Sequence, residues 1–121
     1  MTWKLEEREV DFGALCQGTK RIVNNMIEGH VNGNPNLYSA DSDVRFKAAL
    51  THIAKNGAVP KPLVGMQLKD GLSVIDGNHR VAALCTCQAG ADEMVKKGGV
   101  VPSKTQQVWV GTHSAGEVPL D

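Results

Sequence analysis

The chain has 121 residues, 41% of them hydrophobic, which suffices for one core and is too little for two domains of ordinary size. Thirteen basic residues balance thirteen acidic ones, so no net field draws the molecule toward nucleic acid from a distance. The absence of any run near the roughly 18 apolar residues of a membrane helix, a start (Met1-Thr2-Trp3-Lys4) unlike a signal peptide, and three scattered cysteines (Cys16, Cys85, Cys87) predict a soluble cytoplasmic protein with reduced thiols and no membrane partner.

Trp3, Leu5, Val10 and Phe12 alternate roughly with polar residues, which predicts one or two extended segments with a charged outer face. Residues 19–28 place Ile22, Val23, Met26 and Ile27 on one helical face, with Gly29 as the expected stop. Residues 30–40, rich in asparagine and turn formers, read as a loop. The clearest helix is expected over residues 43–56. Phe46, Ala49, Leu50, Ile53 and Ala54 form its apolar stripe, Ser42 is the expected cap, Asp43 favours the positive end of the dipole, and Asn56-Gly57 ends it ahead of Pro60 and Pro62.

Residues 63–67 and 72–75 are apolar or β-branched and are joined through Asp70-Gly71, a strong hairpin signal. Asp76-Gly77-Asn78 comes next, then a helix with Val81, Leu84 and Cys85 on one face and Gly90 at its end; a second short helix is expected over 91–97. Val108-Trp109-Val110 reads as a last strand and residues 111–121 as a loosely attached tail. The pattern predicts a single α/β (α+β) domain over 1–121, a small mixed sheet with flanking helices and a core at about 44–110.

The candidate chemistry lies at Asp76-Gly77-Asn78-His79-Arg80. A strand that turns through glycine directly into a helix aims the amides of residues 77–80 at one point, where an anion binds; His79 and Arg80 add charge-assisted donors. Arginine beside a helix N-terminus is unfavourable unless an anion joins it. The helix end contributes about 0.3–1 kcal/mol and each charged hydrogen bond about 1.5–3 kcal/mol, consistent with a micromolar to millimolar phosphate site once binding entropy is subtracted. Asp76 is a candidate Mg2+ ligand or a base for the attacking group. The competing reading is plain turn chemistry, with His79 capping a helix and Arg80 paired to Asp76. Between positions 44 and 110 nine basic residues face four acidic ones, and this local surplus of +5 keeps an anionic partner in play.

Lys61-Pro62-Leu63-Val64, the Asp70-Gly71 turn, a short strand, Asp76-Gly77-Asn78-His79-Arg80 and Val81-Ala82-Ala83 together resemble the core of the ParB/sulfiredoxin superfamily, from about Phe46 to Val110. The resemblance implies a nucleotide, CTP as in ParB proteins or ATP (or ADP) as in sulfiredoxins, with Mg2+. It gives Gly77, Asn78, His79 and Arg80 the phosphate, and Asp76 and His79 the catalytic roles. Asn78 stands where sulfiredoxins carry their cysteine, which argues against thiol repair, and no helix-turn-helix segment comes after it, as it would in a complete partition protein. The wording is similar to the Asp-Gly-His-His-Arg of the superfamily's small-molecule kinases and the Asp-Gly-Gln-Gln-Arg of its NTP-hydrolysing nucleases; kinases of this type also imply an N-terminal glutamate, for which Glu6, Glu7 and Glu9 are equal candidates.

The expected function is therefore Mg2+-assisted phosphoryl transfer, or NTP or phosphodiester hydrolysis, on a nucleotide or phosphorylated small molecule. The rivals are a non-catalytic nucleotide-gated or DNA-linked ParB-like regulator of a mobile element or phage, and a protein-binding adaptor. Other motifs carry less. Residues 13–20 imitate a P-loop, but Thr19 precedes Lys20, the reverse of the required order. Cys85-Thr86-Cys87 lacks zinc-site spacing, Cys87 lies on Arg80's side of the helix, and His30, His52 and His113 read as isolated surface residues.

Overall fold

The computed structural model describes residues 2–31, 33 and 40–112. The described elements run β1 (Thr2–Glu9), a 3-10 turn (Phe12–Ala14), α1 (Gln17–His30), α2 (Ala40–Asn56), β2 (Leu63–Leu68), β3 (Gly71–Asp76), α3 (Asn78–Ala89), α4 (Ala91–Lys96) and β4 (Thr105–Thr112). The four strands form one mixed sheet in the order β1-β4-β2-β3. β1 is antiparallel to β4 and β2 to β3, while β2 and β4, separated by β3 and two helices, run parallel. This is the expected α+β class, a small mixed sheet with flanking helices.

One face of the sheet is buried against the helices. Leu63, Leu72, Val74, Val108 and Val110 point inward and join Val23 of α1, Phe46, Ala49 and Ile53 of α2, and five consecutive residues of α3, 81–85. A single apolar stripe was the expectation for α3, yet Ala82 and Ala83 are as completely buried as Val81 and Leu84. A helix buried around its circumference is a core helix, and alanine lets neighbouring backbones approach it closely. At about 1.5–3 kcal/mol per fully buried large aliphatic side chain, the group of Leu15, Ile53, Leu63 and Leu84 is a principal source of stability.

The opposite face of the sheet carries Trp3, Leu5 and Trp109, which remain 42%, 45% and 41% exposed. Leu5 pairs with Trp109 across β1 and β4. The N-terminal strand thus departs from expectation: its outward face is apolar at these positions, and Phe12 lies in the 3-10 turn after the strand.

The far edge, β3, is closed by the chain leading into α1. Cys16 donates its amide to the Leu72 carbonyl at 2.9 Å, and the Val74 amide donates to the Thr19 hydroxyl at 3.0 Å. Gly71 is required by that approach: it has φ 145°, and a Cβ there would stand 2.5 Å from the Leu15 carbonyl carbon. Asp70, from the same turn, accepts the Gln17 amide at 2.9 Å and so caps α1. The P-loop-like residues 13–20 therefore open a helix whose N-terminus holds the protein's own carboxylate, and the Lys20 ammonium lies 5.7 Å from the Phe12 ring centre.

Helix boundaries differ from the sequence expectation at both ends of α1, which begins at Gln17, and at the start of α2. α1 runs through the buried Gly29 to His30, because Val31 still donates to the Ile27 carbonyl at 2.9 Å and His30 is anchored to α2. α2 starts at Ala40, which places Ser42 inside the first turn instead of at the cap. The loop expected over 30–40 falls largely on residues 32 and 34–39, which lie outside the described residues, as do His113 and the tail from 113 onward; Gly111 and Thr112 belong to β4.

Candidate functional site

The Asp76 to Arg80 turn owes its direction to an irregularity in the hairpin. Val64 pairs with Asp76 but Gly65 pairs with Val74, so Ile75 is an extra residue on β3 and lies 55% exposed. Such a bulge changes the phase of a strand just before it ends and re-aims the turn beyond it. Gly77 then takes φ 108° and ψ 22°, and α3 begins at Asn78, with its first turn closed by the Val81 amide on the Gly77 carbonyl at 2.9 Å. The amides of Asn78, His79 and Arg80 lie ahead of that bond, where a helix supplies no acceptors of its own. Among the described residues no side chain caps this end and its first turn holds no acidic residue, in contrast with α1 and its Asp70 cap.

Arg80 folds back over the turn. A Cβ on Gly77 would stand 2.7 Å from Arg80 Nη2 and 2.9 Å from Nε, so the guanidinium occupies the space that glycine leaves open. The Arg80 side chain is only 14% exposed, and its ion-pair partner among the described residues is Asp76 Oδ2 at 3.5 Å. That contact is long and the Asp76 side chain is 77% exposed, so solvent screens the pair and leaves a cation close to the positive end of the α3 dipole. The Asn78 side chain turns back onto the strand, its amide donating to the Val74 carbonyl at 3.4 Å, while its buried Oδ1 has no partner among the described residues.

His79 points elsewhere, to a set of residues that sequence reasoning missed. Its Nε2 lies 2.8 Å from Ser42 Oγ, which lies 2.9 Å from Nε2 of His30; His30 Nδ1 lies 3.2 Å from Asp43 Oδ1, and Lys47 donates to Asp43 Oδ2 at 2.8 Å. His30, expected on a surface loop, is fully buried at its side chain and stacked on Phe46, with ring centres 4.9 Å apart and planes at 14°. Ser42, expected to cap α2, directs its hydroxyl at two imidazoles. The end of α1 and the starts of α2 and α3 converge here.

The Asp43 carboxylate fixes one donor in this chain of contacts. A carboxylate only accepts, so His30 Nδ1 carries the proton that faces Asp43. In the tautomer with its single proton on Nδ1, His30 would accept at Nε2 from the Ser42 hydroxyl, and Ser42 would accept from a His79 protonated at Nε2. Burial lowers the His79 pKa from its ordinary 6.5, with Arg45 and His30 adding to the effect against Asp41. The Lys47 ammonium, with a smaller contribution from His30, holds the Asp43 carboxyl below its usual range despite partial burial.

The remaining candidates separate from this site. Cys85 and Cys87 are buried; desolvation, with Asp11 adding to it, pushes the Cys85 thiol up to about 11, and desolvation also raises Cys87, so neither is a reactive thiolate at neutral pH. A cavity of about 710 Å³, lined in part by Leu50, Cys87 and Met94, lies between α2, the far end of α3 and α4 and includes no residue of the 76–80 turn. Among the described residues no group of three or more His, Cys, Asp or Glu side chains is disposed to hold a metal, and no helix is long and apolar enough to cross a membrane. Asp76 is a single carboxylate, 77% exposed at its side chain. No protein-family profile, curated protein or solved structure matches the chain.

Proposed function

We propose that the chain binds the phosphates of a nucleotide at the 77–80 turn and performs Mg2+-assisted phosphoryl transfer or hydrolysis there. The observation that carries this reading is Arg80: a largely buried guanidinium folded over a helix N-terminus that has neither a side-chain cap nor an acidic first turn among the described residues. Both the helix end and the guanidinium gain from an anion at that point, and the left-handed Gly77 lets it approach the backbone. The sequence resemblance to the ParB/sulfiredoxin superfamily supports the same assignment, since the helix, hairpin, motif, helix and closing strand occur here in the order it implies.

In this reading the amides of residues 78–80 and the Arg80 guanidinium neutralise phosphate charge and orient the reacting group. His79, favoured in its neutral form, starts from the same first turn of α3 and carries its imidazole to Ser42. Asp76 stands at the mouth of the turn, able to meet a metal ion carried by the nucleotide. Mg2+, when bound, would supply further neutralisation of phosphate charge.

Calorimetry with MgATP, MgADP and MgCTP tests the proposal. Wild type is expected to bind at least one of them, and Arg80→Ala to weaken binding about tenfold to a hundredfold, the equivalent of one lost charged hydrogen bond. Turnover should fall in Asp76→Ala. Binding indifferent to Arg80 overturns the site assignment, whereas Arg80-dependent binding without turnover identifies a nucleotide-gated regulator.

A further inference from the structure

We propose that Ser42 is the phosphoryl acceptor of this site, so that the protein phosphorylates its own Ser42 from a nucleoside triphosphate held at the 77–80 turn. This assignment rests on the proposed nucleotide site and adds the acceptor. A serine in the first turn of a helix ordinarily turns its hydroxyl onto a backbone amide. Ser42 Oγ also lies within 2.9 Å of the Nε2 atoms of both His30 and His79. His30 is in turn fixed by Asp43 at 3.2 Å and by stacking on Phe46, and Asp43 is held by Lys47. A hydroxyl on an imidazole, with that imidazole oriented through its other nitrogen by a carboxylate, is the arrangement that activates a serine nucleophile, and it is defined by geometry, not by chain order.

The second imidazole identifies the electrophile. His79 belongs to the first turn of α3, whose amides are the proposed phosphate donors, and its Nε2 lies 2.8 Å from Ser42 Oγ, so one residue joins the hydroxyl to the anion site. In the step, Ser42 Oγ bonds to the γ-phosphorus while its proton passes to His30 Nε2. The bond from that phosphorus to the β,γ-bridging oxygen breaks, and the nucleoside diphosphate leaves with the electron pair. Asp43 stabilises the imidazolium, which afterwards gives its proton to solvent. The phosphoserine formed would sit in the first turn of α2, where the helix dipole favours negative charge, with Nε2–H of His79 as a donor.

The test is peptide mapping by mass spectrometry after incubation of the full chain with MgATP and, separately, MgCTP, alongside calorimetric binding of the same nucleotides. One phosphoryl group on the peptide containing Ser42 is expected in wild type, none in Ser42→Ala, and a rate lowered about a hundredfold in His30→Gln, where general-base help is lost. Nucleotide binding or turnover with Ser42 unmodified overturns the inference and leaves the phosphate-binding reading standing, as does a phosphate mapped to another residue. Failure to bind any nucleotide overturns both. Mapping the wild-type protein requires no variant to fold, and labelling of Ser42 by a fluorophosphonate but not by either triphosphate assigns the residue to acyl chemistry and overturns the inference.

Discussion

The Arg80 guanidinium lies across Gly77, so closely that a methyl group at position 77 would meet Nη2 at 2.7 Å and Leu63 Cδ2 at 2.8 Å. Position 77 also holds φ 108°, a conformation costly for any residue with a Cβ. Gly77→Ala therefore combines backbone strain with displacement of the arginine. Denaturant titration is expected to show a loss of about 1–3 kcal/mol. In calorimetry the variant should also lose nucleotide affinity by at least as much as Arg80→Ala; unchanged affinity would show that the guanidinium does not need its seat on the glycine.

Two groups with depressed pKa values contribute to the pH dependence of stability. His79 has its folded pKa below the ordinary 6.5, so the unfolded chain takes up the proton first as pH falls, and the folded state loses stability from about pH 6.5 down to the folded value. Asp43, depressed below 3.8, contributes stability above that pH that is lost on further acidification through its folded value. Thermal melts at steps from about pH 8 to about pH 3 should show a decline in two stages. His79→Gln should flatten the upper stage and leave the lower one; an unaltered upper slope would assign it to another group.

Gln106 is 3% exposed and ties three segments together. Its Oε1 accepts the Val59 amide at 2.9 Å, and its Nε2 donates to the carbonyls of Ser103 at 3.0 Å and Gly57 at 3.3 Å. Truncation strands the part-buried Val59 amide and the Ser103 carbonyl, while the Gly57 carbonyl keeps the Ser103 amide at 2.7 Å, and Gln106→Ala is expected to cost about 1–3 kcal/mol in chemical denaturation. Proton exchange at the Val59 amide should accelerate in the same variant, which distinguishes loss of this tie from a general softening of the core.

Local signals made the middle of the chain legible. Asn56-Gly57, Asp70-Gly71 and Asp76-Gly77 each carry a glycine at positive φ, and from them the second helix, the hairpin, the turn and α3 can be traced almost residue by residue. Gly29 misled, because a glycine can also be an interior helical residue when packing on both sides of it holds the helix; here the extra turn is secured by the contacts of His30 with α2. The parallel pairing of β2 with β4 and the position of Trp3, Leu5 and Trp109 on the outward face depend on partners distant in the chain. The cluster around Ser42 was illegible for the same reason. Ser42 and His79 are 37 residues apart, and no periodicity relates them. The one available signal was chemical: a serine and an aspartate side by side at a helix start, with histidines elsewhere in the chain that reach them only after folding.

The convergence of three helix ends makes the site a measure of tertiary order. His30, Ser42 and His79 each belong to a different helix, so any local opening that lifts one helix away dismantles the hydroxyl and imidazole contacts even where each helix survives. An anion spanning the α3 turn and the Ser42 hydroxyl would then act as a staple between helices. At a concentration about 100 times its dissociation constant, such a ligand would add about 2.7 kcal/mol against unfolding. Occupancy of the site and cohesion of the helical layer thus become the same variable, read either as affinity or as resistance to opening.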